Sequence, residues 1–162
     1  MADVVRFTRR GSEKRGAAGG LLDARADGRF EGYASLFGIA DAGGDTVARG
    51  AFARGLKGRG PRGVKLLYQH IAAEPLGVWT ELYEDAVGLF VRGRVLTELS
   101  RGRDVLALMR EGALDGLSIG FKTIRARTDA KTRRRTIIEA DLWEVSVVTF
   151  PMLAGARVTR VG

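Results

Sequence analysis

No cysteine occurs anywhere in the chain, which excludes disulfides, thiolate metal sites and a thiol nucleophile. Histidine occurs once, at His70. A single imidazole without cysteine composes nothing like a zinc ligand set, so neither a metal nor an organic cofactor is expected. Long hydrophobic runs are also missing. The longest, from Val145 to Phe150, contains Ser146 and Thr149 and falls far short of the roughly 20 residues of a membrane-spanning helix. The first ten residues lack the apolar core and small-residue cleavage site of a secretory signal, so a cytoplasmic location is expected. Acidic residues are in deficit, with 19 Asp and Glu against 27 Lys and Arg, a formal net charge of +8. Such an excess attracts an acidic partner, whether nucleic acid, an acidic protein or another polyanionic surface.

What is present describes an ordinary globular protein of one domain's length: 162 residues, 45% hydrophobic and 28% charged. Glycine is abundant at 23 residues against 3 prolines, which suits the tight turns and close backbone approaches of short strands in a barrel or sandwich. Residues 1–27 carry Arg9, Arg10, Lys14, Arg15 and Arg25 around a Gly-Ala run with no apolar period and read as a mobile basic tail. The folded domain is expected over 28–156, with 157–162 a short C-terminal tail.

Within that domain the pattern predicts a strand over 29–37, a loop over 41–45, a short helix over 50–57 and a second loop over 58–63. A strand over 64–69 runs into His70, which is thereby placed at a strand end. A hairpin follows over 76–83 and 87–96, turning at Glu84 and Asp85. Val105, Leu108 and Met109 recur at helical spacing between Ser100, an expected N-cap, and Gly112. Leu117, Ile119 and Phe121 then alternate with Ser118, Gly120 and Lys122, so Ser118 faces away from the main apolar row. A polar turn over 125–135 leads into a long β-branched strand ending at Pro151.

Three residues could carry chemistry. His70 is the only side chain whose ordinary pKa suits general-base work near neutrality, although a lone histidine at a strand end is more commonly a structural residue. Ser118 lies in Gly116-Leu-Ser-Ile-Gly120, between two glycines. A nucleophile elbow places its serine on a strand-to-helix turn; here the order is helix then strand, so an α/β-hydrolase is excluded. Glu144 sits in an apolar strand where a carboxylate is costly to bury alone. It either pairs with one of the arginines or orients a histidine as the third member of a triad, with Asp141 as the rival for that place.

In chain order, Gly32-Tyr-Ala-Ser-Leu-Phe37, Gly50-Ala-Phe52, Leu66-Leu-Tyr-Gln-His70, Pro75-Leu-Gly77, Gly88-Leu89, Gly116-Leu-Ser-Ile-Gly-Phe121 and Glu144-Val-Ser-Val-Val-Thr-Phe-Pro151 resemble the motif series of the tailed-phage prohead proteases. No single piece is specific; the ordered set, running from about residue 28 to 156, is. The resemblance implies a mainly β, α+β fold like that of the herpesvirus assemblins, a small closed or partly closed β-barrel with flanking helices. It implies a serine endopeptidase that trims scaffold and the N-terminal segments of the major capsid protein inside the assembling procapsid, and it is compatible with self-cleavage. It maps the nucleophile to Ser118 and the base to His70. The herpesvirus triad uses a second histidine, which this chain lacks, and Glu144 is the residue chosen in its place.

Homo-oligomers are compatible with this reading. A nucleic-acid-binding β-barrel is disfavoured because the basic stretches 58–63 and 125–135 contain no aromatic residue on which bases could stack. A non-catalytic capsid assembly factor would leave His70 and Ser118 without a purpose.

Overall fold

The computed structural model describes residues 27–162; the expected basic tail lies outside them, apart from Asp27. Strands β1 (Arg29–Leu36), β2 (Asp45–Val47), β3 (Lys65–Tyr68), β4 (Ile71–Glu84), β5 (Gly88–Val95), β6 (Gly116–Thr128), β7 (Arg135–Val148) and β8 (Val158–Val161) join in one sheet. Helices α1 (Ala53–Arg59) and α2 (Ser100–Arg110) flank it. The strand order is β2-β7-β3-β4-β5-β1-β8, with β6 on the other edge of β7. An isolated antiparallel bridge from Gly116 to Arg157 joins the start of β6 to the segment entering β8, so the sheet curls into the partly closed, mainly β architecture expected.

Curvature follows from where the apolar side chains fall. In β5, Leu89, Val91, Gly93 and Val95 are buried at every second position, the signature of a strand with one face inward. The same face gathers Phe30 of β1 and Trp79 of β4, packed edge to face with ring centroids 5.3 Å apart. Trp79 is fully buried and lies across Gly93, where a Cβ would stand 2.7 Å from its ring. Leu117, Val145 and Val147 extend this core beneath β6 and β7.

Several expectations shift in detail. The short helix begins at Ala53, three residues after the expected Gly50, and ends at Arg59. Leu99, in extended conformation, is the N-cap of α2 rather than Ser100, and no side chain caps it. The interval 125–135 is not all turn, because β6 continues to Thr128 and β7 starts at Arg135. Only 129–134 reverse the chain, on Asp129 Oδ1, which accepts from the backbone N–H groups of Lys131 and Thr132. β2 begins at Asp45, the last residue of the expected loop, and continues to Val47 by parallel pairing with residues 135–137 of β7. The segment 157–162, expected as a tail, supplies β8, which is hydrogen-bonded to β1.

Candidate active site

β6 and β7 pair antiparallel with Ser118 opposite Ser146 and Gly120 opposite Glu144. Directly paired residues share a sheet face, and the alternate residues Leu117, Val145 and Val147 are fully buried in the core. Ser118, Gly120, Glu144 and Ser146 therefore form one cluster on the opposite face. A register shift between Gly120 and Phe121 marks a bulge where Trp143 and Glu144 both leave the core, after buried Leu142. Bulges of this kind re-aim side chains. Here the bulge gives Glu144 its outward direction within an otherwise apolar strand.

His70 arrives from β3, which runs parallel to β7 with Leu67 opposite Ser146 and Tyr68 opposite Val147. The ladder continues one step, with Gln69 N–H donating to the Val147 carbonyl at 3.0 Å. Tyr68 then pairs with Ile71 of β4, which leaves only Gln69 and His70 to make the turn. Both take positive φ, 52° and 60°, the left-handed geometry of a two-residue primed hairpin turn that normally selects Asn-Gly. Holding two non-glycine residues in that region costs energy. The return is an imidazole folded back over the outward face of β7, at a turn rather than at the simple strand end expected.

The Nδ1 of His70 is hydrogen-bonded to Oε1 of Glu144. The other carboxylate oxygen, Oε2, accepts from the Ser146 hydroxyl at 2.7 Å, and the Ser146 oxygen in turn accepts from the His70 backbone N–H at 3.0 Å. Ser146 thus braces both members of the pair from a position that is itself fully buried. An ionised carboxylate accepts only, so Nδ1 carries the proton and Nε2 is left as the basic nitrogen. The Glu144 hydrogen bond raises the His70 pKa above the ordinary histidine value; partial burial opposes the rise and the carboxylate's charge adds to it.

Ser118 is 4% exposed. Its hydroxyl has no side-chain partner among the described residues and borders a cavity of about 260 Å³ between β1, the 38–47 segment and the loop after β7. Asp141, the rival to Glu144, is engaged elsewhere: its two oxygens accept from Arg59 at 2.7 Å and from the Trp143 indole N–H at 2.8 Å. His70 and Glu144 are therefore brought together, Ser118 stands one strand away across from Ser146, and Asp141 is held apart. Sequence reasoning gave Ser146 and Gly120 no role in this cluster. The available signal was the Glu-x-Ser spacing, which sets a carboxylate and a hydroxyl on one face of a strand.

The partly closed, mainly β sheet belongs to a class of fold with solved counterparts. Two solved protease structures share it: the bacteriophage T4 capsid assembly protease (TM-score 0.56, 14% identity, 74% of this chain and 80% of that one) and the KSHV protease in complex with a hexapeptide phosphonate inhibitor (TM-score 0.51, 14% identity, 80% of this chain and 63% of that one). In sequence, the family described as Caudovirus prohead serine protease matches residues 21–161. The prohead protease of Enterobacteria phage HK97 is 39% identical over 126 residues, 76% of this chain. The chain belongs to the caudovirus prohead serine protease family. It spans 56% of the length of that HK97 relative.

Proposed function

We propose that this chain is a serine endopeptidase of capsid maturation, with Ser118 as nucleophile, His70 as general base and Glu144 as the group that orients and charges the imidazole. The observation that carries the reading is the His70 Nδ1 to Glu144 hydrogen bond, set one strand from a buried serine that borders a cavity. In the first step Nε2 takes the Ser118 proton while Oγ attacks the peptide carbonyl. The imidazolium, stabilised by Glu144, then protonates the leaving amine. Water attacks the acyl-enzyme with His70 again as base and restores Ser118.

The peptide has a place to lie. Beyond Leu117, whose N–H donates to the Ala156 carbonyl at 2.9 Å, no strand among the described residues pairs with the outer edge of β6. An extended substrate adds to such an edge by main-chain hydrogen bonds, with alternate side chains directed to the surface below. The substrates in this reading are scaffold and the N-terminal segment of the major capsid protein, and the chain itself, within the procapsid in the host cytoplasm. Among the described residues no helix is long and apolar enough to cross a membrane.

The test is co-expression with the capsid protein of the same gene cluster, wild type against Ser118→Ala, read by intact mass spectrometry. Defined fragments with the wild type alone support the reading. Equal fragments from both proteins, or none from either once assembly is induced, overturn it.

A further inference from the structure

The cavity beside Ser118 has a charge opposite to that of the molecule. The chain carries a net +8, yet the cavity is lined by Asp41 and Asp45 and by no Lys, Arg or His. Asp45 is neutralised, since both of its carboxylate oxygens are bound by Arg135. Asp41 lies within electrostatic reach of the same guanidinium but is not paired with it: its Oδ1 accepts from the backbone N–H groups of Gly43 at 2.9 Å and Asp45 at 3.0 Å, and its Oδ2 has no hydrogen-bond partner among the described residues. Two carboxylates facing one guanidinium leave a net negative charge at the cavity. Between it and the nucleophile the walls are apolar, from Leu36, Ile39, Val47 and Met152. Two hydroxyls, Ser118 and Ser35, are 4% and 3% exposed, have no side-chain partner among the described residues, and also border this space.

We propose that this cavity is a specificity pocket for a lysine or arginine side chain adjoining the scissile bond, with Asp41 as the residue that selects it. This rests on Ser118 being the nucleophile. A long aliphatic stem matches the apolar walls, and its cationic end finds the free oxygen of Asp41. Long basic side chains bury their methylenes and keep their charged ends hydrogen-bonded in this way. A volume of about 260 Å³ admits one such side chain and excludes nothing smaller, so selection comes from the charge rather than from size.

The experiment exposes the purified full chain to peptides made by digesting a proteome with a glutamate-specific protease, which leaves lysine and arginine internal, and identifies the new termini by mass spectrometry. The wild type is expected to cut next to Lys or Arg. Asp41→Asn retains an oxygen for the two backbone N–H groups and loses only the charge; the preference for Lys or Arg over Met or Leu should fall about tenfold, the scale of one charge-assisted hydrogen bond. Ile39→Lys, at a position 51% exposed on the rim, places a competing cation there and should abolish the preference without any demand on the core.

Ser118-dependent cleavage that shows no basic preference, or a preference unchanged in both variants, overturns the pocket assignment and leaves the nucleophile standing. Cleavage that persists in Ser118→Ala, or no cleavage by the wild type, overturns the nucleophile assignment and the pocket with it.

Discussion

Gly120 lies so close to Glu144 that a methyl group on its α-carbon would stand 2.3 Å from the carboxylate Oε1, the oxygen that holds His70. The absence of a side chain at this one position is what lets the carboxylate lie flat across β6 and meet the imidazole. Gly120→Ala must push Glu144 aside, since 2.3 Å is well inside any real contact. The expected result is a loss of about 10–100-fold in kcat, with KM little changed and a folded protein, because a small misplacement of a catalytic group is enough for losses of that size. Steady-state kinetics on a peptide substrate alongside thermal unfolding checks it. A fall in KM-dependent terms alone would place Gly120 at the substrate instead.

Glu144→Gln separates geometry from charge. The amide occupies the same space, but it no longer fixes the Nδ1–H tautomer or stabilises the imidazolium. Turnover should drop by about 10³–10⁴-fold, the scale set by the equivalent change in the serine protease triad used as a general template. The pH dependence moves as well. His70 must be neutral to act as a base, and its pKa is raised by Glu144, so wild-type kcat/KM should climb with pH through a midpoint above the usual histidine value of about 6.5. In Glu144→Gln that midpoint should move to lower pH. An unmoved acid limb would show that another group is the base.

Ser146→Ala removes the brace beneath both residues. Its hydroxyl donates to Glu144 Oε2 and accepts from the His70 backbone N–H at a site with no solvent access, so both partners lose a hydrogen bond that water cannot easily replace. Stability should fall by about 1–3 kcal/mol, and kcat should fall with it. Ser146→Thr retains the hydroxyl and should recover part of the activity if its extra methyl is accommodated. Denaturant unfolding and kinetics on the pair distinguish a positioning role from simple packing, which either substitution would disturb alike.

How much of this was legible in the sequence depended on the kind of information each feature needed. The strands of the core declare themselves by alternation, as Leu89, Val91 and Val95 do in β5, and their burial agrees. Beyond Phe121 the β6 arm of the hairpin has no buried residue, so Arg125 and Arg127 show the composition of a loop while their backbones pair with β7. β2 and β8 are three and four residues long, and each exists because of a partner distant in the chain, which no local pattern reports.

At the site, the single histidine and a carboxylate in an apolar strand were visible as oddities that required an explanation, and each proved to be the other's partner. The left-handed turn at Gln69 and His70 was not visible, because Gln-His is not a pair that turn chemistry selects; the fold imposes that conformation. The cavity was equally hidden, since Asp41, Ser118 and Met152 converge on it from three separate segments.

The same His70–Glu144 bond carries an opposite pH signature in stability. A histidine whose folded pKa lies above its unfolded value stabilises the fold fully below the unfolded pKa, about 6.5, and that contribution is lost as pH rises through the folded pKa. The stability difference between wild type and His70→Ala should therefore be largest near pH 6 and shrink toward pH 9, while kcat/KM of the wild type rises over the same interval. With His70 in its proposed role, the pair contributes most to the fold where it contributes least to catalysis, because the proton that strengthens the ion pair is the one the base must lack. Denaturant unfolding of both proteins at a series of pH values reads the first trend. A difference that grew with pH would mean that His70 stabilises the fold through its neutral form, and that Glu144 does not hold its proton.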